Sequence, residues 1–180
     1  MNGFYLSIGK QGSGKTLMIT KLCVDNAKDR KIFSNYSLLK LPYQRITFDT
    51  SQDENALSIL DQLDDDPNFF NHSIMLLDEI HLYLDSLDFM RKNNRRLQTF
   101  FSQLRKRDIL LLATTQYMMN VDIRIRRQCM NVFEMDHIYK DLFKVTTHQI
   151  DGYFTQEVSS YNLVLNEYYD HYDTNEIILE

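Results

Sequence analysis

The sequence contains little cysteine, proline and glycine, so its composition is not that of a disulfide-rich, disordered or fibrous protein. Its 180 residues include two cysteines, two prolines, five glycines and no tryptophan. Cys23 and Cys129 lie far apart without ligand spacing to histidine, which argues against a disulfide framework or a metal cluster and favours a reducing compartment. No run approaches the ~20 apolar residues of a membrane span, and no charged signal-peptide region follows Met1. We therefore expect a cytoplasmic protein without a membrane span.

A positive net charge is also missing. The chain has 20 Lys and Arg against 25 Asp and Glu, for a net charge of -5. No global field would draw it to nucleic acid, so any site for a polyanion must be local. With 43% hydrophobic and 25% charged residues, the composition is that of a globular protein. The length suits one domain, which we expect over residues 1–165, followed by an acidic, tyrosine-rich tail over 166–180.

Three of the five glycines fall in the segment GKQGSGKT at residues 9–16. An apolar run from Phe4 to Ile8 precedes the segment, and a helix-like pattern from Lys15 to Lys28 follows it. In that context the pattern predicts a phosphate-binding loop, because backbone N–H groups and a helix N-terminus bind phosphate oxygens. Lys15 would reach the β- and γ-phosphates of ATP, and Thr16 would bind Mg²⁺. The expected nucleotide-binding residues are Gly9, Lys10, Gln11, Gly12, Ser13, Gly14, Lys15, Thr16 and Leu17.

Further strands and helices alternate along the chain, which predicts an α/β fold. Strands are expected over Lys31–Leu39, Ser73–Glu79 and Asp108–Gln116, and helices over Asp53–Leu63 and Asn94–Lys106. Past Gln116 the pattern changes to short β segments, at Asn131–Met135, Leu142–Ile150 and Glu157–Leu165. We expect a mainly parallel central sheet flanked by helices, with antiparallel strands added at one edge near the C-terminus.

Two acids end the apolar run SIMLLDE, at the strand end where α/β proteins bind ligands. Asp78 is the expected partner of Mg²⁺, and Glu79 is the expected general base for the attacking water. The alternative is that both acids only stabilise the start of a helix. His81 completes DEIH, as in one helicase motif, but those enzymes need two such domains in one chain. We therefore favour a helix-face residue over a coupling residue for His81.

Polar and basic residues surround the strand that ends at Gln116. Gln116 would lie near the γ-phosphate, where it could orient the attacking water or sense hydrolysis. The alternative is that Gln116 is only the polar end of a strand. The basic residues of the stretch 91–107, which has no acid, are Arg91, Lys92, Arg95, Arg96, Arg105, Lys106 and Arg107. A second basic group comprises Arg124, Arg126 and Arg127. Either group could contact nucleic acid phosphates, supply an arginine finger to a neighbouring subunit, or form a solvated face.

The ordered set GKQGSGKT, IMLLDE, RKRDILLLATTQ and DIRIRRQ resembles the FtsK-HerA superfamily of DNA-pumping ATPases, over about residues 4–136. It is most similar to compact viral genome-packaging ATPases, and next to zonula-occludens-toxin-like proteins of filamentous phage. The resemblance implies a RecA-like P-loop fold and a pentameric or hexameric ring of identical subunits that hydrolyses ATP and moves double-stranded DNA. The finger of such a ring would be Arg105, Arg107, Arg124, Arg126 or Arg127. A viral member would work in the host cytoplasm or on the virion.

The first functional hypothesis is therefore an ATP-driven motor that packages viral DNA into a preformed capsid, with a capsid or portal-vertex protein as partner. A second is a nucleotide-switched assembly or secretion protein of the zonula-occludens-toxin type. A third is a replication accessory ATPase. Stimulation of ATP hydrolysis by DNA would support the motor, and stimulation only by a protein partner would support the switch. A strand-separation assay would test the replication accessory.

Overall fold

The computed structural model describes residues 1–48, 56–83, 92–151 and 154–173, with the backbone alone at 92–94, 151 and 154. Four helices lie among these residues: α1 Lys15–Asn26, α2 Ile59–Asp65, α3 Lys92–Phe101 and α4 Ile123–Arg126. The described strands are β1 Gly3–Ile8, β2 Lys31–Ser34, β3 Gln44–Thr47, β4 Leu57–Ser58, β5 Ser73–Leu77, β6 Leu110–Thr115, β7 Cys129–Tyr139, β8 Leu142–Asp151 and β9 Phe154–Val164.

All nine strands form one sheet in the order β4-β3-β2-β5-β6-β1-β7-β8-β9. Strands β1 to β7 pair in parallel, whereas β8 pairs antiparallel with β7 and β9 antiparallel with β8. This arrangement confirms the expected α/β fold with a mainly parallel sheet and antiparallel additions. The acidic strand β5 lies beside β6, and β6 lies beside β1, so the loop after β1 and the acids after β5 share one edge.

The central strands are apolar on both faces because helices cover both sides of the sheet. On one face, Leu111 and Ala113 of β6 belong to a core that also contains Leu97 and Phe100 of α3. On the other face, Leu110 and Leu112 pack in a core with α1, whose buried residues include Leu17, Met18, Ile19 and Cys23. A continuous apolar strand is therefore the expected product of burial from two sides.

Several elements differ from their sequence-based prediction. The strand expected to reach Leu39 ends at Ser34, because Ser34 Oγ accepts from Tyr36 N at 3.1 Å and turns the chain there. Of the helix expected over Asp53–Leu63, residues 53–55 lie outside the described part, and α2 begins at Ile59 after the Ser58 cap. The helix expected to reach Lys106 ends at Phe101, where turns begin. Strands β3 and β4 were not predicted.

The C-terminal strands are longer than expected, and the chain after them packs back on the domain. Residues 166–171 form a 3-10 helix in which the Tyr168 ring lies under Lys21 Nζ of α1, at 5.6 Å from the ring centroid. Tyr172 contacts Tyr36 edge to face at 6.1 Å between ring centroids. The boundary at residue 165 stays a prediction, and residues 174–180 lie outside the described part. Within that part, no helix is long and apolar enough to cross a membrane.

Candidate active site

The loop between β1 and α1 takes a backbone conformation that side chains rarely adopt. Gly9, Gly12 and Gly14 have φ angles of 143°, 74° and 89°. A Cβ atom on Gly9 would lie 2.5 Å from the backbone oxygen of Met135 and 2.6 Å from Ser13 Oγ, so a larger residue does not fit there. The glycine pattern thus reflects both the left-handed backbone and the close approach of β7.

The antiparallel part of the sheet supports the end of the same loop. A Cβ atom on Gly14 would lie 2.7 Å from the ring of Phe143 in β8. The His137 ring stacks on the Phe143 ring, with 4.9 Å between their centroids. Phe143 is 3% exposed, so the hairpin of β7 and β8 packs closely against the loop. Sequence reasoning assigned no role to either aromatic residue.

The loop and the start of α1 offer donors suited to an anion. Lys15 is 6% exposed, and its Nζ donates to the backbone oxygen of Lys10 at 3.1 Å. The helix N-terminus has Gly14 at its cap, without a side-chain cap and without an acid in the first turn. Ser13 Oγ is buried and makes no hydrogen bond within the described residues. Uncapped amides, a buried ammonium group and an unpartnered hydroxyl fit a bound phosphate.

Asp78 lies directly beside the first turn of α1. Thr16 Oγ1 donates to its carboxylate, at 3.0 Å from Oδ1 and 3.2 Å from Oδ2, and Thr114 Oγ1 of β6 also donates to Oδ1. Asn35 holds the Asp78 backbone from both sides, accepting from its N at 2.8 Å and donating to its O at 2.9 Å. Burial raises the pKa of Asp78, against the lowering effect of Thr114, Thr16 and Lys15. A desolvated carboxylate beside a threonine hydroxyl suits a divalent cation.

Glu79 has a strained backbone and an incompletely satisfied carboxylate. Its φ is 51°, in the left-handed region, and its N–H donates to Thr114 Oγ1 at 2.9 Å. Burial and then the neighbouring Asp78 raise the pKa of Glu79, while Lys15 and His81 lower it. Oε2 is buried and makes no hydrogen bond to any described residue. A carboxylate with a raised pKa is better matched to proton abstraction near neutral pH.

Gln116 follows β6 at the same edge of the sheet. In the pairing of β5 and β6, Leu77 is opposite Ala113, so Thr114, Thr115 and Gln116 continue beside Asp78 and Glu79. The two threonines are buried and Gln116 is exposed. The structure therefore brings Gln116 to the edge where the sequence predicts it.

The arginines predicted as fingers are at different places. Arg105 and Arg107 precede β6, so they lie at the amino end of that strand, away from the glycine loop at the other end of the sheet. Arg107 donates hydrogen bonds to Gln103 Oε1 and to the backbone oxygen of Pro67. Arg124 and Arg127 are exposed on and after α4. Arg126 is 8% exposed, with a buried Nε that has no hydrogen-bond partner in the described part of the chain. The structure does not bring Arg105 or Arg107 to Asp78 and Glu79 of the same chain.

Sequence reasoning missed three polar residues of this edge, namely Asn35, Thr114 and Thr115, and it placed a fourth, His81, on a helix face. The two threonines had a signal, because hydroxyls at the end of an apolar strand are unusual inside a core. The structure does not support a bare helix-face position for His81. Its Nδ1 lies 3.3 Å from Glu79 Oε2 and 3.2 Å from Thr115 Oγ1. Asn35 had no recognisable signal, since it acts through a backbone 43 residues away.

Comparison with known proteins gives the family. The family described as "ATPase family associated with various cellular activities (AAA)" matches residues 5–137. The chain belongs to the AAA family of ATPases. No curated protein matches this AAA ATPase at a significant level.

Solved structures show the same fold. The N-terminal domain of zonular occludens toxin from Neisseria meningitidis has 22% identity and a TM-score of 0.71, with 96% of this chain and 100% of that chain covered. The genome packaging NTPase B204 from Sulfolobus turreted icosahedral virus 2, in complex with ATP-gammaS, has 9% identity and a TM-score of 0.55, with 87% and 97% covered. The DNA-packaging ATPase B204 from Sulfolobus Turreted Icosahedral Virus has 12% identity and a TM-score of 0.57, with 88% and 98% covered.

Proposed function

We propose that this AAA ATPase is the subunit of a ring motor that hydrolyses ATP to move double-stranded DNA, as in packaging of a viral genome into a preformed capsid. The observation that carries the proposal is the contact between Thr16 and Asp78 at 3.0 Å, which joins the glycine loop to the acid pair. A loop that binds phosphates without adjoining acids could serve nucleotide binding alone. The acid pair adds a cation ligand and a base, which are what hydrolysis requires.

The residues present fit a magnesium nucleotide. The loop amides and Lys15 would bind the phosphates, and Thr16 with Asp78 would hold Mg²⁺. Bound there, Mg²⁺ supplies Lewis acidity toward the phosphoryl oxygens. Asn35 keeps Asp78 in place through its backbone, so the carboxylate can turn from the threonine hydroxyls to a cation without moving the strand.

Glu79 would take the proton of the attacking water. The backbone bond from Glu79 N to Thr114 ties this base to β6, which also leads to Gln116. Gln116 would orient the same water or report the loss of the γ-phosphate. An arginine from a neighbouring subunit would stabilise the charge on the transferred phosphoryl group. Arg124 and Arg127 are exposed, and we favour these two residues for the role.

The described side chains of the basic stretch, which begin at Arg95, divide into structural and exposed members. Arg96 forms an ion pair with Asp64 and donates to the Leu60 backbone, and Arg107 binds the Pro67 backbone. Arg95, Arg105 and Lys106 are exposed. We assign DNA phosphate contacts to these exposed residues, because each such contact adds to the salt-dependent part of the affinity.

A second candidate is a nucleotide-switched protein of phage assembly or secretion, as in the zonula-occludens-toxin type. The observation that favours it is the coverage of 96% of this chain and 100% of the toxin domain, which takes in the antiparallel strands. In this case ATP binding would order a surface for a protein partner, and hydrolysis would reset it. DNA would then leave the ATPase rate unchanged.

The deciding experiment measures ATP hydrolysis per subunit against protein concentration, with and without double-stranded DNA. A ring motor with a finger in trans gains activity as subunits associate, and it is stimulated by DNA. The double variant Arg95→Ala/Lys106→Ala should lose most of the stimulation and lower the salt slope of DNA binding by about 2, since each phosphate contact contributes about 0.9. The variant Lys28→Ala/Lys144→Ala removes two exposed lysines elsewhere and serves as the matched control.

Rapid hydrolysis by a strict monomer would contradict the ring. An ATPase rate that ignores DNA and responds only to a protein partner would contradict the motor and favour the second candidate. Equal loss of DNA stimulation in both double variants would show a general charge effect and remove the assigned surface.

A further inference from the structure

His81 lies between the proposed base and the end of β6. It belongs to the 3-10 turn Ile80–Leu82, which the fully buried Ile80 anchors to the core. The side chain of His81 is 23% exposed, and that of Glu79 is 25% exposed. Nδ1 of His81 lies 3.3 Å from Glu79 Oε2 and 3.2 Å from Thr115 Oγ1. One ring nitrogen thus faces a carboxylate of one strand end and a hydroxyl of the next.

The hydrogen bonds around this nitrogen indicate where its proton is. Thr115 Oγ1 donates its single proton to the backbone oxygen of Tyr117 at 3.3 Å, which leaves lone pairs toward His81. Glu79 Oε2 is an acceptor and makes no hydrogen bond to the described residues. Two acceptors on the same side require a donor between them, so Nδ1 carries a hydrogen.

We propose that His81 is a positioning residue whose Nδ1–H is hydrogen-bonded to Thr115 Oγ1 at the end of β6 and is available to the Glu79 carboxylate, which it contacts at 3.3 Å. The inference rests on the proposed ATPase function, in which Glu79 is the base. Because Nδ1 has one hydrogen for two acceptors, a small rotation of the ring moves it from Thr115 toward Glu79. A shift at the end of β6, where Gln116 begins, therefore changes how firmly the base is held.

The kinetic test compares three substitutions of His81. In His81→Asn the side-chain amide nitrogen can take the place of Nδ1, whereas in His81→Gln it reaches the region of Nε2. Asn should keep kcat within about threefold of wild type, while Gln and Ala should lose about tenfold or more, as expected for one hydrogen bond to a charged group. KM and the affinity for a fluorescent ATP analogue should stay within about twofold in all three. His72→Ala, at the other end of β5, is the matched control and should keep wild-type kcat.

A spectroscopic test does not depend on catalytic activity. In nucleotide-free protein, long-range ¹H–¹⁵N correlation of the imidazole nitrogens reports which nitrogen is protonated, and the signal missing from His81→Asn identifies residue 81. We expect the Nδ1–H tautomer, and a shift of its nitrogen signal in both Glu79→Gln and Thr115→Val. Tyr117 accepts the hydrogen bond of Thr115 through its backbone oxygen, so neither Glu79→Gln nor Thr115→Val removes that oxygen.

Distinct results overturn each part. An Nε2–H tautomer, or a signal that ignores Glu79→Gln and Thr115→Val, would refute the placement of the hydrogen even if the protein hydrolyses ATP. Wild-type kcat in His81→Ala, or equal loss in His81→Asn and His81→Gln, would refute the positioning role. Absence of any ATPase activity in the wild type would refute the proposed function and with it the role for a base, whereas the tautomer result would still decide the contact.

Discussion

Strands β5 and β6 have an aspartate at each end of the pair, and the two aspartates have opposite surroundings. At the carboxyl end, Asp78 accepts hydrogen bonds from the hydroxyls of Thr16 and Thr114. At the amino end, Asp108 forms an ion pair with Arg30 at 2.9 Å and a hydrogen bond with His72. Burial raises the pKa of Asp78, whereas His72 and Arg30 lower the pKa of Asp108.

The difference separates an end of the sheet that is paired within the chain from the end at which we propose the active site. Asp108 finds its partners within the chain, Arg30 and His72, which connect the loop before β6 to the loop before β2 and to the start of β5. Asp78 is surrounded by hydroxyls, and its neighbour Glu79 has a buried oxygen without a hydrogen bond among the described residues. Carboxylates left in such a state cost stability and persist where a ligand or a reaction uses them.

The largest effect should come from removing the proposed base. Glu79→Gln should lower kcat by about 10²–10⁴-fold, because a general base contributes about that factor. Binding of a nonhydrolysable ATP analogue should be retained, since Lys15 and the glycine loop are intact. Phosphate release and analogue titration measure the two quantities.

The same neutralisation at the other end is the control for that result. Asp108→Asn should keep the wild-type turnover. Comparable loss of turnover in both variants would mean that the two ends do not differ in function, and wild-type turnover in Glu79→Gln would remove the residue from the chemistry.

An intermediate effect is expected for Asp78→Asn, which should raise the melting temperature of the ligand-free protein and lower that of the ligand-bound protein. Without ligand, the variant should melt a few degrees higher than wild type, since about 1 kcal/mol corresponds to about 2–4 °C for this size. With Mg²⁺ and an ATP analogue at about 100 times Kd, wild type should gain about 2.7 kcal/mol, and the variant should lose most of that gain. Calorimetry with and without ligand measures both. A lower melting temperature of the ligand-free variant would contradict the comparison.

The smallest effect is expected at the amino end. Asp108→Asn should destabilise the protein by less than about 1 kcal/mol, because the ion pair is partly exposed and screened. The folded-state pKa of Asp108 is lowered, so its contribution is present above the ordinary value near 4 and is lost as pH falls through the lower folded value. Urea unfolding of wild type and variant should therefore differ at about pH 7 and converge in acid. A difference that grows as pH falls would contradict this sign.

The glycine loop, the two acids at a strand end and the mainly parallel sheet were predictable from the sequence. Gly9, Gly12 and Gly14 are a local requirement for left-handed backbone, and the apolar runs before Gly9 and Asp78 mark strands buried on both faces. Because parallel strands present the same end to the same edge, the residues following two such runs are expected to meet. The contact between Thr16 and Asp78 realises that expectation.

The supports of the site were not predictable, since each depends on a partner distant in sequence. Asn35 is an ordinary loop residue until β2 places it beside the backbone of Asp78. Phe143 looks like any apolar strand residue, and only the antiparallel pairing of β7 and β8 brings its ring to Gly14. Charge counting likewise gave Arg96 and Arg107 to a basic patch, although both bind the α2 side of their own domain.

The sequence by itself determined the groups on offer, meaning a glycine loop followed by a lysine and a threonine, and two carboxylates at the end of an apolar strand, because these depend on residue type and short spacing. Only the tertiary structure decided which groups act on those carboxylates. The pairing of β5 with β6 brings Thr114 and Thr115 to Asp78, Glu79 and His81. Distances of about 3 Å between residues some 35 positions apart are set by strand register and core packing, and one-dimensional spacing does not contain them.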